Sequence, residues 1–168
     1  MSREAVLALP ERIGGWTVRR RCLPVAFGLA AEEAAAAAEE TGAEAVLCVG
    51  EAGSRKAVTP ELVALNLRHA RIPDNRGLQP KDEPAVPGGE NALFSTLPAR
   101  RMAEGIAAAG IPAEVSYSAG VYVCNDLFYG LLHRFRASGP PCGFIHVPAE
   151  GFSPAELARG LLAAVEAI

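Results

Sequence analysis

The sequence predicts an α/β fold of three layers, α/β/α, with a twisted and mostly parallel central sheet covered on both faces. Three observations lead there. Strand-like and helix-like stretches alternate along the 168 residues. Ala45–Val49 and Gly143–Val147 are short continuous apolar runs, the pattern of strands buried on both sides. Between them lie stretches with apolar residues at helical spacing, opened by Ser or Pro and closed by Gly.

Taken in order, Ser2 is placed to cap a short helix over Arg3–Leu9, stopped by Pro10. Thr17–Leu23 alternates and reads as a strand ended by Pro24, and Phe27–Glu40 as an Ala-rich helix closed by Gly42. The strand at Ala45–Val49 runs into a flexible turn at Gly50–Ser54. Thr59-Pro60-Glu61 leads to a strand at Leu62–Leu67, and the stretch from Ala70 to Gly89, rich in Pro and Gly, reads as a long irregular loop of the kind that often carries function. Thr96 is expected to cap a helix with Pro98 in its first turn, running to Ala109 before Gly110. A strand at Ala113–Tyr117, a small-residue turn at Ser118–Gly120, and a helix with Leu127, Leu131, Leu132 and Phe135 on its apolar side follow. Pro140-Pro141 breaks the chain before the strand at Gly143–Val147, and Ser153-Pro154 starts a last helix.

Composition sets bounds on function. Hydrophobic residues at 50%, charged residues at 21% and a net charge of −3 describe one ordinary soluble globular domain spanning residues 1–168. No basic cluster is interleaved with aromatics, and Arg19-Arg20-Arg21 reads as a solvated strand edge, so nucleic acid is not an expected partner. The Ala-rich run after Phe27 is interrupted by Glu32 and Glu33, so no membrane span is expected. The four cysteines form no CxxC pair, and Met1–Ala8 has no apolar core of a signal peptide; a cytoplasmic, reduced protein is expected, with Cys22 and Cys48 as buried strand residues.

Candidate chemistry gathers at the carboxyl ends of the strands, where α/β sheets bind ligands. Cys124 falls near a helix N-terminus, a setting that lowers a thiol pKa and favours the thiolate. A Cys packed at a strand-to-helix junction is the commoner role for such a residue. His146 ends another strand, and a parallel sheet brings the two side by side as a nucleophile and its base. Glu61, flanked by Pro60 and an apolar strand, is a carboxylate able to fix the imidazole. Each also has a plain structural reading, His146 as a core histidine and Glu61 as an edge charge. A metal site of Cys124, His146 and another Cys lacks ligand spacing.

Five segments carry a resemblance: Gly50-Glu51-Ala52-Gly53-Ser54-Arg55, Thr59-Pro60-Glu61-Leu62-Val63-Ala64-Leu65-Asn66, Ala70-Arg71-Ile72-Pro73-Asp74-Asn75, Ser118-Ala119-Gly120 to Cys124-Asn125, and Gly143-Phe144-Ile145-His146-Val147-Pro148. In order and spacing they resemble the pyroglutamyl peptidase I family of cysteine peptidases, also called pyrrolidone-carboxylate peptidases, from about Glu4 to the last helix. The resemblance implies a phosphorylase/hydrolase-like sheet, removal of N-terminal pyroglutamate from peptides, and no metal or organic cofactor. It implies Cys124 as nucleophile, His146 as general base and acid, and Glu61 as the residue orienting His146. Arg71 resembles the family's active-site arginine, Ile72, Tyr122, Val123 and Leu127 fall where the walls of the lactam pocket are expected, and Glu51 stands at a substrate-side position. A homo-oligomer, dimer or tetramer, is also implied.

The sequence departs from the family pattern at four places. Family members carry a strand and a Gly-Phe-x-Pro-Phe-Gly-Gly type loop ahead of the first helix, and this sequence begins after both. An incorrectly assigned start or a shortened chain is the expected reason, ahead of a genuinely short protein. The absent strand is expected to leave sheet edges unpaired, and the absent loop to remove part of the pocket. Glu51 stands where Gln is usual, Ser54 replaces a common Gly, and Leu62 replaces Arg or Lys, so Glu61 is expected to lack a local charge partner. These departures keep two other readings open: a non-catalytic or weakly active relative, and a thiol hydrolase for a different small amide.

Overall fold

The computed structural model describes residues 1–168. Its centre is β7 (Cys142–Pro148), every residue of which is buried. β3 (Val46–Ala52) pairs with it in parallel, setting Val46 opposite Cys142, Cys48 opposite Phe144 and Gly50 opposite His146. On the other side β4 (Thr59–Pro60) runs antiparallel, with Thr59 opposite His146 and Pro60 opposite Ile145.

Side chains alternate across this sheet and divide the core in two. Cys48, Cys142 and Phe144 face α2 (Leu29–Thr41) and α4 (Val123–Phe135), packing with Phe27, Ala30, Ala34, Phe128 and Leu131. Ile145 and Val147 face α1 (Ser2–Leu7), α3 (Ala99–Ala108) and α5 (Pro154–Glu166), packing with Ala5, Met102, Ile106, Leu157 and Leu161. The three layers are those the sequence predicts. His146 shares the parity of Phe144 and so looks toward the α2 and α4 side. No helix is long and apolar enough to cross a membrane.

Several elements differ from the sequence reading, each for a local reason. The strand predicted at Ala113–Tyr117 is reduced to two parallel bridges, Val58 with Ala113 and Glu61 with Ser116. Backbone bonds run from Val58 N to Pro112 O, Glu114 N to Val58 O, Ser116 N to Pro60 O and Leu62 N to Ser116 O. The missing rung is the one Pro60 would donate to the Glu114 carbonyl, and proline has no N–H. The alternation at Thr17–Leu23 yields only β2 (Trp16–Thr17), hairpin partner of β1 (Arg12–Ile13). Arg20 is drawn instead to the end of α1, donating to the carbonyls of Leu7 and Leu9 at 2.9 Å each.

The capping residues sort the helices. α5 has the full capping box, Ser153 with Glu156, and Pro154 in its first turn. α2 closes on Gly42 at φ +60 as predicted, but begins after Gly28 rather than at Phe27. Thr96 does not cap α3; its hydroxyl is exchanged with the backbone of Cys142, accepting from the N–H at 2.6 Å. Met1, not Ser2, stands at the N-cap of α1. β5 (Val63–Leu65) forms within the run predicted at Leu62–Leu67 and pairs with β6 (Ala92–Phe94), a strand the sequence reading lacked. The stretch from Ala70 to Gly89 is irregular, as predicted.

Candidate active site

The helix that begins at Val123 is held at its first turn by two buried polar side chains. Asn125 accepts from Leu65 N at 2.8 Å and donates to the carbonyls of Leu65 and Leu67, stitching α4 to β5. Asp126 accepts from Gly28 N at 2.7 Å and from Arg68 Nε at 2.6 Å, tying the same turn to the start of α2. The first backbone bond of this turn is Asp126 N to Tyr122 O, and no side chain caps the helix. The N–H groups of Val123, Cys124 and Asn125 therefore precede the helical ladder, a ready-made donor set for negative charge.

Cys124 is the second residue of α4 and is half-buried. Its sulfur lies above Gly50: a Cβ built on that glycine would sit 3.0 Å from Cys124 Sγ and 2.8 Å from the Phe144 ring. Gly50 is the register partner of His146, and the rings of His146 and Phe144 are 4.8 Å apart. One strand end thus brings thiol and imidazole to the same face of the sheet, and only a residue without a side chain fits between sulfur and ring. Position 50 is glycine for space, not for an unusual φ.

Burial, and next to it the negative charge of Glu61, pushes the Cys124 thiol up from 9.0 to about 11. This corrects the sequence expectation of a lowered thiol pKa. A helix terminus contributes about 0.3–1 kcal/mol, less than one pK unit. Desolvation is the larger effect here, so the resting thiol is neutral near pH 7. A nucleophilic role for such a thiol would need a base to take its proton.

His146 is the imidazole on the same face of the sheet. Its Nδ1 meets Oε1 of Glu61 at 2.8 Å, which leaves Nε2 as the ring's reactive nitrogen. Glu61 is wholly buried, entering from the end of β4 where its own N–H bonds Phe144 O. The same Oε1 receives Arg55 Nη2 at 3.2 Å. The expectation that Leu62 leaves Glu61 without a charge partner is therefore overturned: Leu62 packs into the α1, α3 and α5 core, and the cation comes from Arg55, six residues earlier in the turn after β3. The sequence reading quoted Arg55 and Asn125 only within segments of the resemblance, and gave neither of them, nor Asp126, a role. The clue for Arg55 was its place at a strand's carboxyl end in the same stretch as Gly50.

The remaining predicted residues divide. Val123 and Leu127 are buried in the α2 and α4 core beside Cys124. Tyr122 is half-buried at the helix N-cap, its ring edge-on to Phe27 at 5.3 Å and its hydroxyl donating to Pro73 O at 3.0 Å. That bond draws the Ala70–Gly89 loop, with exposed Arg71 and Ile72, toward the start of α4. Glu51 is not brought to the sulfur. As register partner of Val147 it points to the opposite face, where its carboxylate lies 3.1 Å from the Met1 amine. No group of three or more His, Cys, Asp or Glu is arranged to hold a metal.

Comparison with known proteins gives a consistent picture. The family model described as pyroglutamyl peptidase matches residues 2–154. A pyrrolidone-carboxylate peptidase of Erwinia tasmaniensis is 49% identical over 146 residues, 86% of this chain and 68% of that protein. One from Levilactobacillus brevis is 43% identical over 178 aligned positions, 98% of this chain and 87% of that protein. Among solved structures, pyroglutamyl peptidase I from Bacillus amyloliquefaciens superposes with a TM-score of 0.92 at 38% identity, covering 98% of this chain and 85% of the other. The pyrrolidone carboxyl peptidase from Thermococcus litoralis gives 0.93 at 31% identity, covering 99% and 84%.

Proposed function

The chain belongs to the pyroglutamyl peptidase family, and from that premise we propose that it is a thiol exopeptidase removing N-terminal pyroglutamate from peptides through Cys124, His146 and Glu61. One observation carries the reading. A wholly buried carboxylate is bonded to Nδ1 of a histidine whose register partner, Gly50, lies under the Cys124 sulfur. A buried carboxylate and imidazole are costly to place in a core, and this geometry puts them to use.

The steps follow from the atoms. His146 Nε2 takes the Sγ proton as the sulfur attacks the pyroglutamyl carbonyl carbon, and the carbon–oxygen π pair moves onto oxygen. The free N–H groups at the start of α4 stabilise that oxyanion. Collapse expels the peptide amine, which takes the proton from His146 and leaves an acyl-thioester on Cys124. A water, losing its proton to His146, adds to the thioester; breakdown releases pyroglutamate and returns the proton to sulfur. Glu61 holds the ring in one tautomer and offsets its transient positive charge. Arg71, Ile72, Tyr122, Val123 and Leu127 supply the lactam side of the site. Glu51, turned away from the sulfur, acts at most through the rim. The same reading places the protein in the cytoplasm, as a homo-oligomer, dimer or tetramer.

The test is release of a fluorophore from a pyroglutamyl amide, run beside the prolyl and alanyl amides. Turnover of the pyroglutamyl compound alone, abolished by iodoacetamide, is the expected result. A folded sample that leaves it intact overturns the proposal and favours the non-catalytic reading, and turnover of a different amide overturns its specificity.

A further inference from the structure

The guanidinium of Arg55 sits at a junction that the reaction does not strictly require. One of its nitrogens, Nη2, reaches Glu61 Oε1 at 3.2 Å, Ser116 Oγ at 2.8 Å and the Ser118 carbonyl at 3.0 Å. Ser116 Oγ also donates to Ser118 O at 3.2 Å. Ser118 opens the turn that delivers the chain to α4, so one side chain is bonded both to the carboxylate behind His146 and to the approach to Cys124. Oε2 of Glu61 is buried with no partner at all, so both donors this carboxylate has converge on the other oxygen.

The charges facing Glu61 can be named element by element. β7 offers His146, the N-terminal turn of α4 offers Cys124 as a neutral thiol, and the β3–β4 connection offers Arg55. Arg55 is the only permanent cation among them. Without it, an uncompensated buried carboxylate would face the imidazole alone. Such a carboxylate favours the protonated ring, and a protonated ring cannot accept the thiol proton.

We propose that Arg55 is a positioning residue of the active site: it balances Glu61 so that His146 stays available as a neutral base, and it anchors the Ser118 turn that sets the Cys124 helix. This rests on the reading of Cys124, His146 and Glu61 as the reacting set. Lysine at this position keeps the charge, but its ammonium ends about one bond short of Nη2, the one nitrogen that meets carboxylate, hydroxyl and carbonyl.

The experiment follows the Cε1–H signal of His146 by NMR across pH, assigned among the three histidines with His146→Gln, together with the pH profile of kcat/KM. In Arg55→Gln, the His146 titration midpoint and the acid limb of kcat/KM are both expected to rise by about 0.5 of a pH unit or more. In Arg55→Lys, the midpoint is expected within about 0.2 of a unit of the parent, while kcat still falls through the lost Ser118 bond. A midpoint that stays put or drops in Arg55→Gln overturns the proposal, and so does a loss of activity that is equal at every pH. Should Arg55→Gln fail to fold, Arg55→Met, which keeps the apolar stem but not the charge, is expected to raise the midpoint in the same way, and an unmoved midpoint there overturns the proposal equally. The NMR titration needs no turnover. An inactive parent chain would therefore sink the peptidase reading while the Arg55 question is still answered.

Discussion

Cys124→Ser is expected to lower kcat on a pyroglutamyl amide by about 10⁴-fold or more, with the fold intact. The change swaps one atom of similar size, so Gly50, Phe144 and the first turn of α4 keep their packing. What changes is the acid that His146 must deprotonate. Burial already holds the thiol at about 11, and an alcohol in the same place is far less acidic and less nucleophilic than a thiol. Steady-state kinetics beside a thermal unfolding curve separate the two possibilities: activity is expected to vanish while the unfolding midpoint stays within a few degrees. Retention of more than about a tenth of the parent kcat would exclude Cys124 as the attacking group.

Glu61→Gln is expected to separate activity from stability in the opposite sense to an ordinary core mutation. A neutral amide cannot compensate an imidazolium, and it can hold the ring in the wrong tautomer, so kcat is expected to fall by about 10²–10⁴-fold with KM little changed. Stability is expected to hold or rise. Glu61 is wholly buried with one oxygen unpartnered, so a neutral group of the same shape removes a desolvation cost, while Arg55, partly exposed, keeps Ser116 Oγ and the Ser118 carbonyl as acceptors. A falling unfolding midpoint with kcat preserved would make Glu61 a structural carboxylate and end its role in the mechanism.

The two predictions depend on parts of the molecule that were legible in the sequence to different degrees. β7 and α4 were readable because their patterns are unambiguous, a continuous apolar run after Pro140-Pro141 and a helical spacing from Leu127 to Phe135. Their ends place His146 and Cys124, and parallel pairing of β3 with β7 does the rest. The strand at Ala113–Tyr117 was half right: its register follows β4, and a single proline across the ladder, Pro60, interrupts it. No pattern within Thr17–Leu23 could reveal that Arg20 prefers two helix-end carbonyls to a sheet neighbour.

The site shows the same division. Side-chain parity was available for Glu51, since it follows Gly50 on one strand and must face the other way, yet resemblance alone set it beside the substrate. The Arg55–Glu61 pair spans a turn whose shape is set by Ser116 and Ser118, residues more than fifty positions away, so no local reading could assemble it. The thiol pKa depended on a magnitude rather than a motif. The N–H groups at the start of α4 are present as expected, but burial of the sulfur is the larger effect. Within the proposed mechanism, a thiol held neutral favours proton transfer during attack over a preformed thiolate.

The central claim, that Cys124 is acylated, is most directly tested by rapid acid quench of the protein during turnover of a pyroglutamyl ester, followed by peptide mapping with mass spectrometry. A pyroglutamyl group on the peptide containing Cys124, absent after iodoacetamide treatment, is the result expected here. A pyroglutamyl group on Cys22, Cys48 or Cys142, or turnover with no acylated cysteine at any quench time, would contradict it.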